Sequence, residues 1–243
     1  MNKKQNTPQP CVIVMAKYPQ AGKVKTRLFP FLNQSQSAQL ALCFLKDTLL
    51  KIEKLGIQVF LAYSPEEFHD KFAKLVAKST VLIEQKGISL GERLFNAVSF
   101  AETAGFSPII TIGTDSPSFP SQEILKTIEI LQSNVNECVF GSTQDGGYYL
   151  IGLNKSVPSM FENVEWSSTQ TLPDSVRNAL LTFGQNPVFI SDWYDVDTPE
   201  DLKNLNKEFL EKECFANIAP HTAKWLEVNS DLFSSPELER KAE

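Results

Sequence analysis

Three acidic segments and one basic loop hold the residues from which chemistry could be built. Asp115 lies in Thr111-Ile-Gly-Thr-Asp-Ser-Pro-Ser-Phe-Pro120, where an apolar run stops at Gly113 and a short polar turn presents the carboxylate. Read by local physics alone, Asp115 caps a turn or a helix; in an open α/β sheet the same place is where ligands bind. Asp195 and Asp197 lie in Asp195-Val-Asp-Thr-Pro-Glu-Asp-Leu202. Thr198, Pro199 and Asp201 there satisfy ordinary helix-start rules, which leaves Asp195 and Asp197 without a local explanation. Asp145 belongs to Thr143-Gln-Asp-Gly-Gly147, ahead of Tyr148 and Tyr149. Turn chemistry predicts a hairpin for the Asp-Gly pair, and the two tyrosines could equally line a pocket.

The basic loop is Lys17-Tyr-Pro-Gln-Ala-Gly-Lys-Val-Lys-Thr-Arg-Leu28, directly after the first apolar run. Lys17, Lys23, Lys25 and Arg27 follow one another without an intervening acid, and Gly22 permits a bound group to approach the backbone, so the loop suits a phosphate. It is not a Walker loop, because the first glycine is missing and Lys23 is followed by Val24; no G-x-G-x-x-G occurs either. Residues 1–46 contain seven basic residues and no acid, whereas the rest of the chain carries 16 basic against 29 acidic residues. That asymmetry points to a small anion held near the N-terminal part of the fold. An acidic remainder would repel nucleic acid.

The elements that must position these residues are legible in the hydrophobic pattern. Apolar runs at 11–16, 57–63, 80–84 and 108–112 read as strands, separated by helical stretches at 35–55, from the capping box Ser64-Pro-Glu-Glu67 towards Leu75, and from a second box, Ser89-Leu-Gly-Glu92, to Gly105. Four strand–helix alternations without a hairpin predict a doubly wound, mostly parallel α/β sheet with the basic loop and Asp115 at its carboxyl edge. The second half is less regular: a helix at 121–132, strands at 137–141, 148–153 and 187–191, and a helix at 171–182. Residues 1–10 are expected to be disordered and 11–213 to form one domain. The 214–243 tail is read as a short helix around Trp225 and Leu226 or as partly disordered.

Composition limits the remaining classes. No apolar stretch reaches membrane-spanning length and no signal-peptide pattern opens the chain, so a cytoplasmic protein is expected. Cys11, Cys43, Cys138 and Cys214 have no C-x-x-C spacing and read as buried, reduced thiols. With only His69 and His221, a histidine-built metal site is disfavoured.

Together, the basic loop from Ala16 to Leu28, Gly113-Thr-Asp-Ser-Pro, Gln144-Asp-Gly-Gly-Tyr-Tyr-Leu-Ile-Gly-Leu, Glu165-Trp-Ser and Asp195-Val-Asp-Thr-Pro-Glu-Asp-Leu resemble one family. It is the radical-SAM/selenodomain-associated transferase family of glycosyltransferase-like proteins, in the nucleotide-diphospho-sugar transferase (GT-A, Rossmann-like) superfamily. The loop is also similar to that of the phospholactate and molybdenum-cofactor guanylyltransferases. The resemblance implies a metal-dependent transferase using a nucleoside triphosphate or nucleotide-sugar donor and a small-molecule acceptor. It assigns Lys17, Gly22, Lys25 and Arg27 to the nucleotide, Asp115 and Asp197 to Mg²⁺ or Mn²⁺, and Asp115 and Lys25 to catalysis.

The acceptor is assigned to Asp145, Tyr148 and Tyr149, because such folds place acceptor specificity in the irregular half and the two glycines would admit a ligand. Two carboxylates about 4 Å apart repel by roughly 4 kcal/mol at an effective dielectric near 20, so a shared cation is consistent with the pairing. Ser116-Pro117 stands where many glycosyltransferases have Asp-x-Asp. The four cations favour nucleotidyl transfer and the family label favours glycosyl transfer, so both chemistries stay open. A non-catalytic nucleotide-binding or scaffolding protein is the alternative on the same fold.

Overall fold

The computed structural model describes residues 8–134 and 137–234. In chain order the elements are β1 (Gln9–Lys17), α1 (Gln34–Glu53), β2 (Gln58–Ser64), α2 (His69–Ala73), β3 (Val81–Glu84), α3 (Leu90–Thr103), β4 (Phe106–Ile112) and α4 (Gln122–Ser133). They continue with β5 (Cys138–Ser142), β6 (Tyr148–Leu153), α5 (Thr171–Phe183), β7 (Val188–Phe189), α6 (Pro199–Glu211), α7 (Phe215–Ile218) and α8 (Pro220–Val228). The strands form one sheet in the order β3-β2-β1-β4-β6-β5-β7. β1 pairs in parallel with β2 and β4, and β2 with β3; β6 runs antiparallel to both neighbours, and β7 is parallel to β5.

A strand covered on both faces must be apolar at every position, and β1 shows this directly. Val12, Val14 and Ala16 enter one core with α1, α2 and α4 side chains; Cys11 and Ile13 enter the other, beneath α3 and α5. Because β2 and β4 lie on opposite sides of β1, the chain reverses its direction of travel across the sheet there. This is the switch point at which open α/β sheets form a crevice. The loops after β1 and β4 border it.

A third core fastens the loops to the frame. Leu28 and Leu32 after the basic loop, Leu40 and Phe44 on α1, Val196 between the two late aspartates, and Trp225 and Leu226 of α8 pack together. The tail is therefore docked through Phe233, and Asp47 of α1, fully buried, accepts bonds from the backbone N–H groups of His221 (2.9 Å) and Thr222 (2.8 Å) in the first turn of α8. Carboxylates at a helix N-terminus satisfy donors that have no partner within the helix.

Some expectations change. β1 begins at Gln9, so the expected disorder does not extend to residues 9 and 10; residues 1–7 and 235–243 lie outside the described residues. Ser64 makes no capping box, because it is taken up as the last residue of β2, in register with Lys17. A single-turn 3-10 segment follows and delivers Phe68 to the core. Cys11 and Cys138 are buried as expected and burial pushes the Cys11 thiol up to about 12, but Cys43 is only partly covered and Cys214 is exposed. Among the described residues no helix is long and apolar enough to cross a membrane.

Candidate active site

The basic loop and the two acidic turns meet at a single nitrogen. Lys25 adopts a left-handed backbone (φ 48°, ψ 42°), a strained choice for a residue with a side chain. Its ammonium, 6% exposed, lies 2.5 Å from Oδ1 of Asp115 and 2.9 Å from Oδ1 of Asp197. Burial alone would favour losing the proton, yet the two carboxylates outweigh it and hold the pKa above the usual lysine value. Arg27 stands at the rim, its guanidinium 3.9 Å from Oδ2 of Asp197. Residues 82 positions apart in sequence are thus gathered about one cation.

Backbone geometry explains why they stay there. The carbonyl of Asp115 accepts from the N–H of Val196 (2.9 Å), which ties the turn after β4 to the Asp195–Asp197 stretch. Asp197 leads directly into the capping box of α6: the Thr198 hydroxyl accepts from the Asp201 N–H, and the Asp201 carboxylate accepts from the N–H groups of Thr198 and Asp197. Behind the turn, Lys51 of α1 donates to the carbonyls of Pro117 (2.9 Å) and Phe119 (2.5 Å).

Two clefts open on either side of the Asp115–Asp197 pair. The first, about 380 Å³, is bordered by Lys17, Lys23, Lys25, Gln85 and Arg93 as well as both aspartates. Lys17 curls back on its own loop and donates to the Lys23 carbonyl (3.2 Å). Gly22 has φ +78° and would bring a Cβ to 3.1 Å from the Gln34 side chain, so its glycine is needed for the turn itself. The second cleft, about 570 Å³, includes Arg27, Thr111, Asp145, Tyr148, Trp166 and Asp195.

The hairpin predicted at Asp-Gly is present: β5 and β6 pair antiparallel, and Oδ1 of Asp145 accepts from the Thr143 hydroxyl (2.6 Å) and the Gly147 N–H (3.1 Å). Its two glycines are both closely packed, and Gly147 also borders the second cleft. Gly146 has φ +89° and a Cβ there would lie 2.7 Å from the backbone of Thr169, while Gly147 is crowded by Thr143 and Asp145.

The tyrosines separate because neighbouring strand residues face opposite ways. Tyr148 faces the α3/α5 side and borders the second cleft. Tyr149 contributes to that wall too, but its ring packs on Phe119 in the opposite core and its hydroxyl donates to the Ser191 carbonyl (2.9 Å). Side-chain recognition by Tyr149 therefore does not follow from its place beside Tyr148.

Asp195, Arg93, Thr111 and Trp166 were not singled out as site residues from the sequence. The signals available were the unexplained Asp-x-Asp for Asp195 and the Glu165-Trp-Ser motif for Trp166; Arg93 and Thr111 look like ordinary helix and strand residues. Asp195 is largely buried and accepts from the Ser116 hydroxyl (2.5 Å). Burial raises its carboxyl to about 7; the Ser116 bond opposes this, Asp115 adds to it, Lys25 opposes it and Asp197 adds to it.

Similarity to known proteins agrees with this geometry at the level of the fold. A family model described as an uncharacterized protein conserved in bacteria (DUF2064) matches residues 48–168, which include Asp115, Asp145 and Trp166 but neither the basic loop nor Asp197. No curated protein matches the chain. A crystal structure of a candidate nucleotide-diphospho-sugar transferase from Desulfovibrio desulfuricans G20 is 28% identical over 93% of this chain and 96% of its own, with a TM-score of 0.84. A cytidylyltransferase from Leptospira borgpetersenii is 14% identical over 93% of this chain and 96% of its own (TM-score 0.54). The 4-diphosphocytidyl-2C-methyl-D-erythritol synthase of Anaerococcus prevotii DSM 20548 is 14% identical over 85% of this chain and 100% of its own (TM-score 0.57). The fold is that of the nucleotide-diphospho-sugar transferases and nucleotidyltransferases.

Proposed function

We propose that the chain is a metal-dependent transferase that takes a nucleoside triphosphate or a nucleotide sugar as donor and transfers part of it to a small-molecule acceptor. The observation that carries this reading is the meeting of a basic cleft and an acid-bearing cleft at Asp115 and Asp197. A donor's phosphates suit Lys17, Lys23, Lys25 and Arg93, with the Gly22 turn beside them and Arg27 at the rim. The acceptor suits the cavity bordered by Asp145 and Tyr148. The motif likeness to the radical-SAM-associated transferases and to the guanylyltransferases supports the same division, and the reading implies a cytoplasmic protein, where nucleotide donors are available.

Asp115 and Asp197 fit a divalent cation by the chemistry of the donor set. Both carboxylates converge on one cation, the Lys25 ammonium at 2.5 and 2.9 Å, and both side chains remain partly open to solvent, where a divalent ion would reach them. Among the described residues no group of three His, Cys, Asp or Glu side chains converges, but magnesium needs only one or two carboxylates when phosphates and water complete its shell. When bound there, Mg²⁺ or Mn²⁺ would supply charge neutralisation at the leaving phosphate. Lys25, beside both carboxylates, offers its ammonium to developing phosphate charge. The acceptor nucleophile attacks phosphorus or the anomeric carbon in line, with no covalent enzyme intermediate.

The experiment incubates the protein with Mg²⁺, a panel of nucleoside triphosphates and nucleotide sugars, and cell extract as acceptor source. Pyrophosphate release that needs extract and Asp115 identifies nucleotidyl transfer; nucleoside diphosphate release from a nucleotide sugar identifies glycosyl transfer. Calorimetric titration without binding of any nucleotide at millimolar concentration would overturn the proposal.

A further inference from the structure

The larger cleft has a composition that speaks to the acceptor's chemistry. It lies on the α3/α5 face of the sheet, and its floor is apolar: Met15, Leu94 and Ile151 border it. Thr111 belongs to that floor as well. It pairs in register with Ile13 on one side and Ile151 on the other, both members of the same core. Thr111 is 3% exposed, and its hydroxyl has no hydrogen-bond partner in the protein. The hydroxyl of Tyr148, on the wall of the same cavity, is buried beside the Ser175 hydroxyl. Buried polar groups are normally paired, so the Thr111 orphan bordering this cavity marks a position that a ligand can satisfy. Trp166 borders the same cavity, with its indole against Gly91 so closely that a Cβ there would come within 2.9 Å of Nε1.

Charge narrows the class further. The cavity wall carries Asp115, Asp145, Asp195 and Asp197 against a single cation, Arg27, among the described lining residues. Lys25 offsets Asp115 and Asp197. Asp145 and Asp195 take their bonds from neutral donors, the Thr143 and Ser116 hydroxyls and the Gly147 N–H. Lys17, Lys23 and Arg93 border the other cleft. Away from the metal position at Asp115 and Asp197, a phosphate or carboxylate on the acceptor would meet the Asp145 carboxylate, with Arg27 the one cation on this wall among the described lining residues.

Resting on the transferase reading above, we infer that the acceptor is an uncharged or cationic alcohol or amine with a ring or other apolar face, and that it carries neither phosphate nor carboxylate. Its apolar face lies on the Met15, Leu94 and Ile151 floor beside Trp166, with hydroxyl or amino groups toward Thr111 and Tyr148. Its nucleophilic end faces Asp115 and Asp197.

The test titrates the full chain with matched pairs: cyclohexanol and cyclohexyl phosphate, benzylamine and benzoate, glucosamine and glucosamine 6-phosphate. Binding is followed by the ¹³C-labelled δ1-methyl signal of Ile151, which borders this cavity and not the basic cleft. In at least one pair the member without phosphate or carboxylate should shift that signal and bind about tenfold or more tightly than its anionic counterpart, as expected when like charges oppose one another across a partly buried site. Thr111→Val should weaken that binding several-fold while leaving the thermal midpoint unchanged or higher, because it removes a hydroxyl with no partner. Asp145→Asn, which keeps an acceptor for the turn, should reduce the preference for amines over alcohols. Equal or tighter binding of the anionic members, or no response of Ile151 to any probe, would overturn the inference. Nucleotide titration of the same sample separates the two claims: nucleotide bound with an anionic acceptor preferred refutes this inference alone, and no nucleotide bound refutes the transferase reading.

Discussion

Lys25 and Lys51 stand on opposite sides of one turn, residues 113–120, and each ammonium is almost closed off from solvent. Their electrostatic situations are opposite. In front of the turn, Lys25 faces two carboxylates and keeps its proton. Behind it, Lys51 meets only the carbonyls of Pro117 and Phe119 and the face of the Phe119 ring, 3.7 Å from its centroid. Burial lowers its pKa to about 7, and the carboxylates of Asp47 and Glu208 only partly counter this. Burial penalises any charge, and here only full counter-charges overcome it; dipoles and a ring do not. The front of the turn is therefore suited to chemistry with anions, and the rear acts as a strut that fixes where Asp115 points.

The sharpest way to break this division is at Asp115 itself. Asp115→Asn removes one of the two charges that hold Lys25 and, if the front is the chemical centre, should lower turnover by about 10²–10³-fold while far-UV circular dichroism is unchanged. Full turnover in this variant would remove the front site from the mechanism. Next in size is Lys25→Met, which leaves Asp115 and Asp197 without their shared cation. Nucleotide affinity should fall about tenfold, whereas Mn²⁺ affinity of the nucleotide-free protein should rise about tenfold, because a divalent ion then meets no resident ammonium. Unchanged Mn²⁺ binding by calorimetry would mean that Lys25 does not hold that position in solution.

Lys51 sharpens the comparison through pH. Its folded value, about 7, lies below its ordinary 10.5. Below pH 7 folded and unfolded chains both carry the proton, so the group adds no slope; above it the unfolded chain binds a proton that the folded chain lacks, and stability rises with pH. The buried Cys11 thiol and the partly covered Cys43 thiol, raised to about 12 and about 11 from 9.0, act in the opposite sense above pH 9. Urea unfolding between pH 7 and 9 should therefore show a Lys51 contribution of up to about 1.4 kcal/mol per pH unit, lost in Lys51→Met. Identical slopes in both proteins would refute the assignment. The smallest effect is expected at Arg27, whose side chain is 69% exposed. Arg27→Ala should change stability by no more than about 0.5 kcal/mol and nucleotide affinity by about two- to fivefold, measured by thermal melts and titration. A larger loss of stability than of binding would make Arg27 structural.

Much of the frame was legible before any coordinates, and the reasons are local. β6 was expected at 148–153 and runs Tyr148–Leu153, because a buried strand announces itself as an uninterrupted apolar run. The α6 start was legible for the same kind of reason, since Thr198, Pro199 and Asp201 each satisfy backbone groups within one turn. Ser64-Pro-Glu-Glu67 had the same local credentials and failed, because pairing with β1 claimed Ser64 first.

What the sequence alone determined was the alternation of strands and helices, the basic loop directly after the first strand, and a carboxylate directly after the fourth. These depend on contacts within a few residues and on hydrophobic periodicity, which the chain carries in its own order. Only the tertiary structure decided that Asp115 and Asp197 share Lys25 and that Tyr148 and Tyr149 face opposite cores. It also decided that Thr111 ends as an unpaired hydroxyl on a cavity floor and that Lys51 braces the turn from behind. Each of these depends on which distant segment fills the neighbouring space, and burial then sets whether a group there keeps its charge and finds a partner.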